Sequence, residues 1–137
     1  MDELEEKKLE NKDYIGEIVS LVNSLDDFSH LQESLEEYHP FDISQAMLEL
    51  DGGKRSEAFL NFDYAFAASI VEMLDGDEAI DLLKTLPLEK AVKIVDAMET
   101  DDAVDLLQSL KTEDADIDII GMLSPRKRAE LNKLLVY

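Results

Sequence analysis

Apolar residues along this chain recur as a triplet at positions i, i+1 and i+4, which is the spacing of one buried stripe on a short helix. Successive triplets begin every twelfth position, except that the copy beginning at Ile119 comes one position late. No segment alternates with a period of two, so the pattern predicts helices and no strands. The clear copies are Ala46/Met47/Leu50, Ala58/Phe59/Phe62, Ile70/Val71/Leu74, Leu82/Leu83/Leu86, Ile94/Val95/Met98, Leu106/Leu107/Leu110 and Ile119/Ile120/Leu123.

Residues that favour helix starts precede these triplets. Asp75 has a side-chain oxygen that can accept a hydrogen bond from a free N–H group of the first turn, and Pro87 and Pro125 need no N–H partner there. Thr112 is expected to begin a helix in the same way. Each unit then holds about ten helical residues and a short link, which makes successive helices fold back on each other. A further amphipathic helix is predicted from Tyr14 to Leu25.

Helices this short are unstable alone and must be held by their neighbours. Two successive units make a helix pair, and the sequence repeats at the length of such a pair: "DEAIDLLKTL" from Asp77 returns as "DDAVDLLQSL" from Asp101. We therefore predict an all-α fold, a superhelical α-solenoid of short antiparallel helices. Residues 1–25 are expected to form a tail and a leading amphipathic helix, and residues 26–137 the helical-repeat domain.

The charge of the chain is strongly negative, with 33 acidic and 13 basic residues and a formal net charge of −20. Such a field repels phosphate groups and anionic lipids, so we expect no nucleic-acid binding and no insertion of this segment into a membrane. Cations or a basic protein surface are the expected partners. The absence of cysteine excludes disulfides and thiolate metal sites.

No combination of residues typical of an enzyme is recognisable, because no activated nucleophile, acid–base pair or phosphate-binding loop can be assembled; we predict that the chain is not an enzyme. The repeated aspartates are the remaining candidates for chemistry. They form two i,i+4 pairs, Asp77/Asp81 and Asp101/Asp105, each with its carboxylates about 5–6 Å apart at Cβ. Acids in a first turn also complement the helix dipole, but this does not explain Asp81 and Asp105, one turn further in. Such a surface suits Mg²⁺, which keeps most of its waters.

Several stretches resemble one known family. "HPFDISQAMLEL" from His39, the tandem units "DEAIDLLKTLP" and "DDAVDLLQSL", and "MLSPRKRAELNKLLVY" from Met122 are similar to the N-terminal intracellular domain of MgtE-type magnesium transporters. The resemblance covers residues 26–137. It implies a right-handed superhelix of short helices on the cytoplasmic side of the cell membrane. In the family this domain is followed by a pair of CBS domains and by transmembrane helices, in a protein that is a homodimer.

The resemblance also implies a regulatory function. In the family, cytosolic Mg²⁺ binds acidic residues between this domain, the CBS domains and the membrane part, and the bound ions favour a closed pore. The implied partners are therefore Mg²⁺, weakly held at shared interfaces, and the CBS-domain pair and transmembrane domain of the same transporter. Matching by motif makes Asp101 and Asp105 the first candidates for ion contact, with Asp102 next. Repeat symmetry and proximity add Asp81, Asp77 and Glu99.

A second function stays open at this point. The chain could be an acidic α-solenoid that serves as a protein-interaction scaffold, similar to the helical repeats of flagellar motor-switch proteins, with no ion function. A basic partner surface would then take the place of the cation. A sensor predicts divalent-specific effects centred on Asp101 and Asp105, whereas a scaffold predicts only general salt screening.

Overall fold

The computed structural model of the chain describes residues 13–113 and 123–135, and within them every regular element is a helix. This confirms the predicted all-α class; the predicted tail lies outside the described residues as far as Lys12. None of these helices combines the length and the apolar composition that crossing a bilayer requires. They are α1 (Tyr14–Ser24), α2 (Leu31–Leu35), α3 (Pro40–Glu49), α4 (Gly52–Leu60), α5 (Tyr64–Val71), α6 (Gly76–Lys84), α7 (Leu88–Ala97), α8 (Thr100–Glu113) and α9 (Pro125–Leu135).

The helix starts show the repeat directly. Helices α3 to α8 begin at every twelfth position, at Pro40, Gly52, Tyr64, Gly76, Leu88 and Thr100. Three of these starts are capped by an aspartate carboxylate that accepts from the backbone N–H three residues later, which satisfies one of the free donors of the first turn. These caps are Asp51 to Lys54 (2.9 Å), Asp63 to Phe66 (2.7 Å) and Asp75 to Glu78 (2.8 Å).

Helix α8 is longer than the repeat predicts. It continues to Glu113 and so includes Thr112, which the sequence pattern predicts to begin a new helix. No glycine or proline in the stretch from Thr100 to Glu113 forces the helix to end before Thr112. The predicted start at Pro125 is confirmed, and the N–H of Lys127 donates to Oγ of Ser124 at 3.2 Å.

Most of the extensive packing between described helices joins next-but-one neighbours, and it forms two rows. In one row α1 packs on α3, α3 on α5 and α5 on α7; in the other α6 packs on α8 and α8 on α9. Contacts between α6 and α7 join the rows. Because α5 and α7 begin at Tyr64 and Leu88, the chain returns to the same row after one helix pair, which is the period of the sequence repeat.

The core consists largely of the predicted triplets. All three side chains are buried in the triplets that begin at Ala46, Ala58, Leu82 and Ile94. Each large apolar side chain buried in this way contributes about 1.5–3 kcal/mol, which is how helices of this length are held in place. Helix α1 adds Ile18 and Val22 to the same core. The leading helix is therefore continuous with the repeats, and the division after residue 25 stays a prediction.

A candidate cation site in an acidic cleft

A cleft of about 180 Å³ lies where the end of α5 meets α6 and α8. Four carboxylates line it, those of Glu72, Asp75, Asp102 and Asp105; we call this feature the acidic cleft. The rest of its lining is Gly76 and the apolar residues Val71, Leu74, Ala79, Met98 and Leu106. Glu72 and Asp102 are half-buried there and so are less well hydrated than carboxylates on an open surface, which strengthens the interaction of their charges, whereas Asp75 and Asp105 are exposed.

The helix starts and ends place these acids. Glu72 follows the last residue of α5, and Asp75 is the N-cap of α6. Asp102 lies in the first turn of α8, and Asp105 lies nearly one turn further along it. Since α6 packs on α8, the starts of both helices face one space, and the end of α5 closes it. The partial positive charge of the two helix starts favours acids there, whereas Glu72 stands at the less favourable C-terminal end of a helix.

Glu72 and Asp102 both line the acidic cleft, and Asp102 affects the ionisation of Glu72. Burial is the main cause that raises the pKa of Glu72, and the hydrogen bond and negative charge of Asp102 raise the pKa further. The backbone N–H of Glu99 donates to Oε2 of Glu72 at 3.1 Å and acts in the opposite direction. The negative charge of Asp102 makes the ionisation of Glu72 more costly. Glu72 therefore favours either a bound proton or a nearby cation.

The candidate residues named from the sequence fall into two groups. Asp102 and Asp105 line the acidic cleft, and Glu99 contributes its backbone N–H at the edge. The other group is exposed and takes no part in the lining; it consists of Asp77, Asp81 and Asp101. The structure thus brings Asp102 and Asp105 of "DDAVDLL" together with Glu72 and Asp75 rather than with their repeat copies.

Sequence reasoning missed Glu72 as a candidate and treated Asp75 only as a helix start. Glu72 lies outside the aspartate repeat, and only the packing of α6 on α8 brings it near Asp102. One signal in the sequence could have identified Glu72. An acid at the C-terminal end of a helix interacts unfavourably with the helix dipole, so its presence there indicates another role. Asp75 has a complete capping box with Glu78, which accounts for its presence without any ligand.

The oxygen donors of the acidic cleft fit a hard divalent cation such as Mg²⁺. In the described parts of the chain, no three His, Cys, Asp or Glu side chains are grouped so that they could hold a metal ion by themselves. The pair of Glu72 and Asp102 offers two carboxylates. Since Mg²⁺ commonly uses one or two protein carboxylates and keeps several waters, this pair suits a hydrated ion or an ion that shares ligands with another domain.

Comparison with known proteins gives the chain its family. Residues 38–137 match the family model described as the MgtE intracellular N domain. A similar solved structure is the crystal structure of the cytosolic domain of the Mg²⁺ channel MgtE in complex with ATP, with 34% sequence identity and a TM-score of 0.72. The match covers 81% of this chain and 46% of that one, so this chain spans about half the length of its structural relative. No curated protein sequence matches the chain. The chain belongs to the family of MgtE intracellular N domains, which confirms the family and the cytoplasmic location that the sequence predicts.

Proposed function

We propose that this chain is the Mg²⁺-sensing regulatory domain of a magnesium channel or transporter and that the acidic cleft is its ion-responsive part. The observation that carries the proposal is the Glu72–Asp102 pair, in which carboxyl groups from two different helices meet on a partly buried surface. Membership of the MgtE N-domain family and the likeness to the cytosolic part of a Mg²⁺ channel support the transport context.

The mechanism we propose follows from electrostatic repulsion. When both are ionised, Glu72 and Asp102 repel each other and weaken the contact between the end of α5 and the first turn of α8. Bound Mg²⁺ would supply two positive charges at this point. With their charge neutralised, these carboxylates and Asp105 would hold α5, α6 and α8 together and would accept an acidic surface from another domain. When Mg²⁺ is scarce, the repulsion returns and that surface is released.

The partners of this mechanism are part of the proposal. A pair of CBS domains and a transmembrane domain of the same protein, acting as a homodimer, would receive the neutralised surface and close the pore at high Mg²⁺. Asp77, Asp81 and Asp101 remain candidates for ion contact here, because exposed carboxylates can share an ion with a facing domain. The prediction that the chain is not an enzyme stands with this role.

The test is a titration of the 137-residue chain with MgCl₂, followed by backbone amide NMR, with NaCl at matched ionic strength as the salt control. We expect saturable shifts at Glu72 and from Glu99 to Asp105. These shifts should disappear in Glu72→Gln/Asp102→Asn, because both ionised partners are then replaced.

A matched variant separates the site from the overall charge. Glu49→Gln/Glu57→Gln also removes two carboxylates, but both lie on the exposed surface away from the acidic cleft. It should keep the saturable response. Shifts that spread over the whole acidic surface and that NaCl reproduces would overturn the proposal and favour the acidic scaffold, because general screening does not distinguish the two salts at equal ionic strength.

A further inference from the structure

Gly76, the first residue of α6, lies at a very close approach between α6 and α8. A Cβ atom added at Gly76 would be 2.9 Å from Cβ of Ser109 on α8, and closer still to its Oγ. Atoms that are not bonded do not pack at such a separation, so any larger residue would force the two helices apart. Among the described residues no glycine has a positive φ, so the backbone conformation does not require glycine at this position. The contact with Ser109 does.

The equivalent positions in the neighbouring helix pairs do not share this requirement for glycine. Gly52 begins α4, one helix pair earlier, and a Cβ atom there would meet nothing within 4 Å. Thr100 begins α8, one helix pair later, and its hydroxyl donates to Oε2 of Glu130 at 3.0 Å. Of these three positions, only Gly76 stands where a side chain cannot fit.

Gly76 is also part of the wall of the acidic cleft. It follows Asp75 directly, and both line the cleft together with Asp105 of α8. Ser109 lies one turn beyond Asp105 on the same helix, and its hydroxyl donates to the backbone oxygen of Asp105 at 3.3 Å. The contact between Gly76 and Ser109 therefore lies directly beside the acids that the start of α6 and α8 contribute to the cleft.

We propose that Gly76 is a positioning residue that sets the width of the acidic cleft and, through that width, its affinity for a divalent cation. The inference rests on the proposed function, since it assumes that the cleft binds the cation. A larger residue at position 76 leaves all four carboxylates in the chain but moves Asp75, together with the end of α5 that carries Glu72, away from Asp102 and Asp105. The affinity for Mg²⁺ should fall because a hydrated ion could then no longer contact the carboxylates on both sides of the acidic cleft.

The test compares Mg²⁺ affinities of the 137-residue chain by the same NMR titration. Gly76→Ala should bind about tenfold more weakly, which is the usual size of a change in the groups that position metal ligands. Gly52→Ala is the matched control, because it makes the same substitution at the open repeat position, and its affinity should equal that of the wild type. Gly76→Ala/Ser109→Gly removes the atoms that collide and should restore the affinity to that of Ser109→Gly alone.

Each outcome bears on a different claim. No saturable response in the wild type overturns both the proposed function and this inference. A wild-type response with equal affinity in Gly76→Ala overturns the role of Gly76 alone, and so does a weakened Gly76→Ala that Ser109→Gly does not rescue. If Gly76→Ala does not fold, Ser109→Thr enlarges the same contact from α8; unchanged affinity in that variant overturns the inference.

Discussion

Gln32 and Asp63 hold each other by two hydrogen bonds, each 2.8 Å long. The side-chain amide of Gln32 donates to Oδ2 of Asp63, and the backbone N–H of Asp63 donates to Oε1 of Gln32. Oδ1 of the same aspartate caps α5 by accepting from the N–H of Phe66. This pair therefore attaches α2 to the first turn of α5 at a defined position, in addition to the apolar packing between the N-terminal helices and the repeats.

The effect of this pair on stability should depend on pH. The hydrogen bond from Gln32 is the main cause that lowers the pKa of Asp63, followed by the N–H of Phe66. A carboxyl whose pKa is lowered by folding stabilises the fold above its unfolded value of 3.8, and this stabilisation is lost as the pH falls through the folded value. We expect Gln32→Ala to cost about 1 kcal/mol at pH 7 and clearly less at about pH 3.

Urea unfolding at both pH values measures this difference. Gln108→Ala, on the exposed face of α8, is the control and should change stability little at either pH. A cost for Gln32→Ala that is the same at both pH values would show that the charge of Asp63 does not contribute.

Glu72→Gln should stabilise the chain at pH 7 when no divalent cation is present. Burial and then Asp102 raise the pKa of Glu72, so its ionised form opposes folding as the pH rises from the unfolded value of 4.5 through the folded value. The glutamine removes the charge but keeps an oxygen that can accept from the N–H of Glu99. We expect the free energy of unfolding to rise by about 0.5 kcal/mol, the usual size of a like-charge repulsion on a helical surface.

Thermal unfolding with and without MgCl₂ tests this expectation. The wild type should gain stability from MgCl₂, and Glu72→Gln should lose most of that gain. Glu57→Gln removes one exposed carboxylate with no contact to the acidic cleft and should behave like the wild type. A Glu72→Gln variant that is less stable than the wild type without MgCl₂ would contradict the proposed repulsion.

Arg55 caps the C-terminal end of α3, and we expect that a lysine at this position cannot make the same hydrogen bonds. Its guanidinium donates to three backbone carbonyl oxygens, those of Met47 (2.8 Å), Leu48 (3.1 Å) and Leu50 (2.9 Å). A lysine ammonium lacks the planar fork that reaches all three, so Arg55→Lys should cost about 1–2 kcal/mol in urea unfolding. Lys54→Ala removes one exposed hydrogen bond to Asn23 and should cost less than about 0.5 kcal/mol. Equal costs for the two variants would contradict this assignment.

Lys127 should be required for the attachment of α9. Its ammonium donates to the carbonyl oxygen of Met98 at 2.6 Å and lies 3.9 Å from Oε2 of Glu130, with a side chain that is only 11% exposed. Lys127→Met keeps the apolar stem but leaves the Met98 carbonyl without this partner, which should cost about 1–3 kcal/mol. Hydrogen exchange of the amides of α9 should become faster in this variant, whereas the exposed neighbour Arg128→Met should leave the exchange unchanged. Unchanged exchange in Lys127→Met would contradict the role of Lys127.

The sequence predicted best those structural features that depend on residues close to each other along the chain. The triplet beginning at Leu82 and the cap at Asp75 are short-range patterns, because a helix of this length must show one apolar stripe and satisfy its first N–H groups. The presence of the helices, the twelve-residue spacing of their starts and most of the buried core residues follow from such patterns. Helix α8 passes Thr112 because a favourable capping residue does not by itself end the helix that precedes it.

The acidic cleft depends on packing between rows, and no local pattern describes it. Glu72 and Asp102 are far apart in the sequence, and they meet because α6 packs on α8 beside the end of α5. The rotation of α8 about its axis decides that Asp102 lines the acidic cleft while its neighbour Asp101 stays exposed. That rotation is fixed by the burial of Ala103, Leu106 and Leu107 against other helices, which sequence spacing alone does not locate in space.

The two-row arrangement also sets the unit by which such a chain can be shortened. Removing residues 76–99 takes out one helix from each row and keeps every later helix on its own side, so we expect the remainder to unfold cooperatively when heated. Removing residues 88–99 takes out one helix, and each later helix would then face the residues of the opposite row. We expect that shorter deletion to abolish cooperative melting. Growth or loss of repeats in proteins of this kind should therefore proceed by whole helix pairs, because each stacked unit contacts mainly its neighbours.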